Sequence, residues 1–115
     1  MQVTLPWPPA ALSPNARGHW AVKARAASKH KRDCQIICMG AGLRALGWPR
    51  MVVRITFHPP SARRADTDNM LAAMKAGLDG LAVATGVDDS LWTYIIGKGE
   101  PRKGGAVAVQ IERTE

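Results

Sequence analysis

Two acidic pairs and one lysine have the residue types and spacing that phosphoryl-transfer chemistry uses. Asp66-Thr67-Asp68-Asn69 sets two aspartates two residues apart, between a strand-like and a helix-like segment. In extended or turn geometry such a pair can direct both carboxylates to one side. Held ~5 Å apart at an effective dielectric of about 20, they repel by roughly 3 kcal/mol, which a cation between them would relieve. Mg²⁺ suits the position, as a hard ion that prefers carboxylate oxygens and keeps several waters; Mn²⁺ is expected to substitute. Asp88-Asp89 is a second acidic pair, in a turn that follows the next helix. Lys75 lies seven residues after Asp68, two helical turns on and nearly in line with it. An ammonium there could stabilise charge developing on a phosphate. Each feature also has a local explanation. Asp and Asn cap helix N-termini, where they meet orphan N–H groups and the helix dipole, Asp is at home in turns, and an exposed helix lysine is ordinarily just solvated.

Other reactive side chains carry weaker signals. His30, Cys34 and Cys38 form a row at four-residue spacing on a helical segment. Its outer members are ~12 Å apart along a helix axis, too far to share one ion, and a fourth zinc ligand is missing. The row reads as helix packing. The same geometry puts the two cysteines near the upper limit for an unstrained disulfide. His58 closes a strand before the acidic segment and reads as an incidental strand-end residue, although it could assist a water.

The charge is unevenly distributed. The chain carries a net +7, with +10 in residues 1–65, whose one acid is Asp33, and −3 in residues 66–115. A basic body with a few clustered acids attracts phosphate through the body and metal through the acids. Arg63 and Arg64 flank the acids and are the foremost candidate phosphate contacts. Lys29, Lys31 and Arg32 on a helix face, and Lys98, Arg102 and Lys103 beside a loop, complete the set expected to touch DNA. Such backbone contacts position DNA without reading its sequence.

The elements that must position these residues follow from hydrophobic period. At 115 residues the chain is expected to be one domain, 1–115, without room for a second core. Gln2–Leu5 reads as a strand stopped by Pro6, Pro8 and Pro9, and Ala10–Trp20 as a loop. A helix runs from about Val22 to Leu43, with Ala27, His30, Cys34, Ile37, Cys38 and Ala41 as its semi-apolar stripe. Met51–His58 alternates cleanly, with Met51, Val53, Ile55 and Phe57 on one face. A second helix runs from about Thr67 to Val83 and buries Met70, Met74, Leu78 and Leu81. Gly86–Ser90 is a turn, Leu91–Gly97 a strand, Glu100–Gly105 a basic hairpin loop, and Ala106–Glu112 a strand with Val107, Val109 and Ile111 inward. The expectation is an α+β fold of order β-α-β-α-β-β, a small mixed sheet of about four strands with two helices on one face. No apolar run approaches the ~20 residues of a membrane span, and Met1 leads directly into a strand-like segment, so a soluble, cytoplasmic protein without a signal peptide is expected. A chain this small often gains stability by pairing with a copy of itself.

The stretches Leu5-Pro6-Trp7-Pro8-Pro9, Arg64-Ala65-Asp66-Thr67-Asp68-Asn69, Lys75-Ala76-Gly77-Leu78-Asp79-Gly80-Leu81 and Val87-Asp88-Asp89 together resemble the RusA family of Holliday junction resolvases. The resemblance spans essentially the whole chain. It implies a RusA-like fold and a homodimeric, Mg²⁺-dependent endonuclease, bacterial or phage-encoded, that makes paired nicks in four-way DNA junctions, without a small-molecule cofactor or a membrane. By resemblance the metal ligands are Asp66, Asp68 and Asp89, and the functional lysine is Lys75. In the family pattern that lysine follows the second aspartate by four residues; here it follows by seven, one helical turn more. A non-catalytic basic DNA-binding module, with acids that are only caps and turn residues, and a nuclease for other branched DNA such as flaps are the competing readings.

Overall fold

The structure is a computed structural model that describes residues 1–63 and 66–115. Its elements are β1 (Gln2–Pro6), α1 (Trp20–Gly40), β2 (Arg50–His58), α2 (Thr67–Thr85), β3 (Trp92–Lys98) and β4 (Ala106–Thr114). Short 3₁₀ turns occupy Ala10–Leu12 and Asp89–Leu91. The fold is α+β, two helices and a four-stranded mixed sheet in the expected chain order. None of the described helices is long and apolar enough to cross a membrane.

β2 and β4 form the centre of the sheet, and each alternates between a buried and a solvent-facing side. Met51, Val53, Ile55, Phe57, Val107, Val109 and Ile111 are each 0–1% exposed, while their neighbours Arg54 and Gln110 face solvent. The same face continues through Val3 and Leu5 of β1 and meets Cys34 and Cys38 of α1 and Met70, Met74, Leu78 and Leu81 of α2 in one core. Trp7, after β1, packs edge-on against Phe57 with ring centroids 6.1 Å apart. Gly105 allows this, since a Cβ there would sit 2.7–2.9 Å from the Trp7 side chain and its φ of +74° suits glycine.

The strand order is β1-β4-β2-β3, with β2 parallel to β3 and β4 antiparallel to both of its neighbours. This corrects the expectation of a hairpin at Glu100–Gly105, because β2 lies between β3 and β4. The segment after β3 crosses the end of β2 instead, and β2 holds it there. The Gly99 N–H donates to the Phe57 carbonyl at 2.8 Å and the Arg102 N–H to the Pro59 carbonyl at 2.9 Å. Buried His58 donates from Nδ1 to the Glu100 carbonyl at 2.9 Å, which accounts for a strand-end histidine.

α1 starts two residues earlier than expected, capped by His19 Nδ1, which accepts the Ala21 N–H at 3.1 Å. It ends at Gly40, so Ala41 falls outside it. Its buried stripe is narrower than the periodicity suggested: His30, Cys34 and Cys38 are buried, while Ile37 is exposed. The three form one ridge pressed against α2 at Gly77 and Gly80. A Cβ on Gly80 would overlap the Lys31 carbonyl oxygen and lie 3.0 Å from the Gln35 nitrogen. α2 continues to Thr85 and is closed by Gly86 in the left-handed conformation at φ 71°.

Candidate functional site

α2 presents Asp68, Leu71, Ala72, Lys75, Leu78 and Asp79 at three- and four-residue spacing, hence on one face. That face, together with Asp89 of the turn before β3 and Tyr94 of β3, lines a groove of about 450 Å³. Tyr94 reaches it because β3 is an edge strand: register opposite Val53 puts Tyr94 on the helix side of the sheet, beyond the cover of α2. Trp92 braces Tyr94 with ring centroids 5.7 Å apart, and is itself held by its Nε1–H donating to the Val87 carbonyl at 2.9 Å.

Of the candidate residues, the structure brings Asp68, Lys75 and Asp89 to this groove and leaves Asp66 outside it. Asp66 is the N-cap of α2; its Oδ1 accepts the Asp68 N–H at 2.8 Å. It lines a neighbouring depression with Trp7, Pro8, Pro9 and Asn69. The second acidic pair divides in the same way. Asp88 caps the 3₁₀ turn, accepting the Ser90 N–H at 3.0 Å and the Ser90 hydroxyl, and these bonds hold its carboxyl below the usual carboxylate range. Asp89 is left to the groove.

Asp68 enters from the first turn of α2 and Asp89 from the turn beyond its last. Asp79, eleven residues after Asp68 and therefore ~16 Å along the axis, belongs to the Asp89 end. Burial, then the Asp89 carboxylate, then that of Asp79 push the Tyr94 phenol above its ordinary value. Among the described residues no three His, Cys, Asp or Glu side chains stand close enough to hold an ion together. Mg²⁺ ordinarily takes one or two protein carboxylates and completes its shell with water and substrate phosphate. The groove's acids offer the hard carboxylate oxygens that Mg²⁺ or Mn²⁺ prefers; the two ends stand too far apart to share one ion, so an ion would be held by Asp68 at one end or by Asp89 beside Asp79 at the other. Asp79 and Tyr94 were missed as site residues. Asp79 was within reach, since its position four after Lys75 puts both on one helix face; Tyr94 needed the strand order.

The basic residues form two groups. Arg63, Lys98, Arg102 and Lys103 are exposed where β2 and β3 end and α2 begins, the Asp68 end of the groove. Arg102 pairs there with Glu100 at 3.4 Å. Arg64, expected beside them, lies outside the described residues. Lys29, Lys31 and Arg32 are exposed on α1, where Lys29 pairs with Asp33 at 2.7 Å. The His30 ring is buried, with Nε2 at 3.4 Å from Met74 Sδ and 3.8 Å from Cys34 Sγ. Both cysteines are free, and burial pushes the Cys34 thiol up to about 12 and Cys38 up to about 11.

No protein-family model matches the sequence. The chain is 37% identical over 113 residues to an uncharacterized protein of Xylella fastidiosa (strain Temecula1 / ATCC 700964), a match that covers 95% of this chain and 74% of that protein.

Proposed function

We propose that this chain, which belongs to the same family as the uncharacterized Xylella fastidiosa protein, is a RusA-like, Mg²⁺-dependent endonuclease of branched DNA that cuts four-way junctions. The observation that carries the reading is the groove itself, in which acids from two distant segments, Asp68 and Asp89, flank Lys75 in a chain of net +7.

Bound to these carboxylates, Mg²⁺ or Mn²⁺ would supply Lewis-acid neutralisation of the phosphate and a more acidic water. Asp68 would provide an oxygen ligand at one end of the groove and Asp89, beside Asp79, at the other, each ion completing its shell with water and phosphate oxygens. Lys75 lies between the two ends, where its ammonium meets a phosphate oxygen as charge grows on it. Asp66 acts as a positioning residue: its cap orients the first turn of α2, and with it Asp68. Arg63, Lys98, Arg102 and Lys103 bind backbone phosphates at the Asp68 end and set the register of the DNA without reading bases. A homodimer would offer two such sites, as symmetric nicking requires.

A labelled four-way junction incubated with the protein and Mg²⁺ is expected to yield paired nicks. Intact DNA across a range of enzyme and divalent-ion concentrations would overturn the proposal. Flap and linear duplex substrates, compared at one salt concentration, rank the junction against other branched DNA, since affinity depends steeply on salt. The caps made by Asp66 and Asp88 favour one competing reading, a non-catalytic DNA binder. Calorimetric titration with Mg²⁺ separates the two, because a pure binder takes up no ion at Asp68 or Asp89.

A further inference from the structure

Three of the four tryptophans have a seat in the fold: Trp92 lies in the core, and Trp7 and Trp48 pack against it. Trp20 has none. It stands in the first turn of α1 and is 74% exposed. Its surroundings are nonetheless fixed. The His19 ring is held by its cap, with Nδ1 accepting the Ala21 N–H at 3.1 Å. That ring lies against the indole, with centroids 5.5 Å apart and planes 32° from parallel. Lys23, one turn on, donates from Nζ to the Ala16 carbonyl at 2.8 Å and ties the preceding loop to the helix. An indole braced in this way loses little freedom when a flat partner stacks on it, and preorganisation of that kind favours binding.

α1 and α2 run the same way across the sheet. Lys31 and Gln35 meet α2 at Gly80, His30 and Cys34 meet it at Gly77, and Ala27 lines a furrow with Ala73 and Ala76. Both helices therefore begin at one end of the molecule, α1 with Trp20 and α2 with the turn that bears Asp68. β1 and β2 each run antiparallel to β4, and β3 runs parallel to β2, so these three strands finish at that same end. Trp20 thus shares it with Arg63, Lys98, Arg102 and Lys103. Trp20 also lies seven residues before Ala27, two turns away on nearly the same line of α1. It stands at the head of the furrow, and Lys75 lines both the furrow and the groove.

We propose that Trp20, backed by His19, is a stacking platform for an unpaired base of DNA. The charge around it selects the ligand. Residues 1–32 contain no Asp or Glu, and Arg17, Lys23 and Arg25 all lie within five residues of Trp20. An exposed aromatic ring among cations is the combination that holds single strands. The ring takes a base, which offers a π-face whatever its identity, and the cations take the backbone. A closed duplex keeps its bases stacked on one another and offers the indole none without the cost of unstacking. The proposal rests on the reading of branched DNA as the substrate and adds which feature of a branch is recognised, bases left open where the arms meet. It requires neither metal nor cleavage.

The test uses two forked DNAs that differ only in whether the bases at the branch are paired, in a chelating buffer that keeps them intact. One base at the branch is 2-aminopurine, whose fluorescence reports its stacking, and affinities are compared at one salt concentration. The wild type is expected to prefer the open fork by about tenfold, the scale of one stacked base, and to quench its 2-aminopurine. Trp20→Leu, apolar but without a ring, is expected to lose the preference and the quenching, while Trp20→Phe keeps much of both. Because the side chain is exposed, circular dichroism and urea midpoints stay at wild type in both variants. Equal wild-type affinity for the two forks, or a preference and quenching that survive in Trp20→Leu, would overturn the inference alone. A wild type that binds neither fork overturns it together with the substrate reading.

Discussion

The Asp66 carboxylate accepts the backbone N–H of Asp68 at 2.8 Å, and this hydrogen bond divides the work of two aspartates that look equivalent in the sequence. One closes the helix; the other is left facing the groove. Asp66→Ala is expected to lower stability by about 1 kcal/mol, with most of the loss restored in Asp66→Asn, which can still cap. Asp68→Asn should stay within about 0.5 kcal/mol of wild type, abolish junction cleavage and leave junction binding intact. Urea melts beside a nicking and a binding assay check all three. Cleavage retained by Asp68→Asn removes that residue from the site.

Tyr94 is the chain's one tyrosine, so its phenolate absorbance reports on the groove alone. The Asp89 and Asp79 carboxylates disfavour the phenolate and help to hold its pKa up. Removing either charge should bring the titration to lower pH, more for Asp89→Asn than for Asp79→Asn, and hardly at all for Asp66→Asn. An alkaline absorbance titration of the four proteins checks the order, and an unmoved curve in Asp89→Asn detaches Asp89 from Tyr94.

The helix crossing predicts unequal costs at two glycines. A Cβ at Gly80 meets the Lys31 carbonyl and the Gln35 nitrogen, backbone that yields only if α1 moves. A Cβ at Gly77 meets Met74 Cε at 2.7 Å, His30 Nε2 at 2.8 Å and Cys34 Sγ at 3.0 Å, side-chain atoms with some freedom. Alanine in a helix interior gains about 1 kcal/mol over glycine, while overpacking costs about 1–3 kcal/mol. Gly80→Ala should therefore destabilise clearly and Gly77→Ala much less, by denaturant midpoints.

Burial lowers the His30 pKa from its ordinary 6.5; Lys29 lowers it further, and Asp33 opposes. With its folded pKa depressed, the native state binds fewer protons than the unfolded chain once pH falls below about 6.5. The stability His30 contributes is then present above 6.5 and lost as pH falls from there through the folded value. Urea midpoints measured from pH 8 to pH 5 should decline, and His30→Gln should flatten that slope. The lowered carboxyls of Asp33, Asp88 and Glu100 act in a separate, more acidic window.

The thiols give a further check on the core. With pKa values raised to about 12 and about 11 by burial, Cys34 and Cys38 should resist a thiol reagent at pH 8 in the folded protein. Both should react at once in denaturant. Fast reaction of the native protein would mean that the α1–α2 crossing opens readily.

Local pattern determined much of this molecule. The alternation at Met51, Val53, Ile55 and Phe57, and the spacing of Met70, Met74, Leu78 and Leu81, record a period and a buried face, and those are properties of one segment. The order of elements and the presence of acids at both ends of the segment containing α2 were likewise open to a reader of residues. Tertiary structure alone decided which strand lies beside which. Every strand here offers the same apolar face, so nothing in residues 92–114 said that β2 would separate β3 from β4, with His58 and Pro59 holding the crossing chain. That choice exposes β3 as an edge and brings Tyr94 to the groove. The cap that Asp66 makes is a bond between near neighbours and was open to a reader of residues as well; that Asp68 faces the cleft was decided by tertiary structure, because what a side chain meets is set by where the backbone carries it.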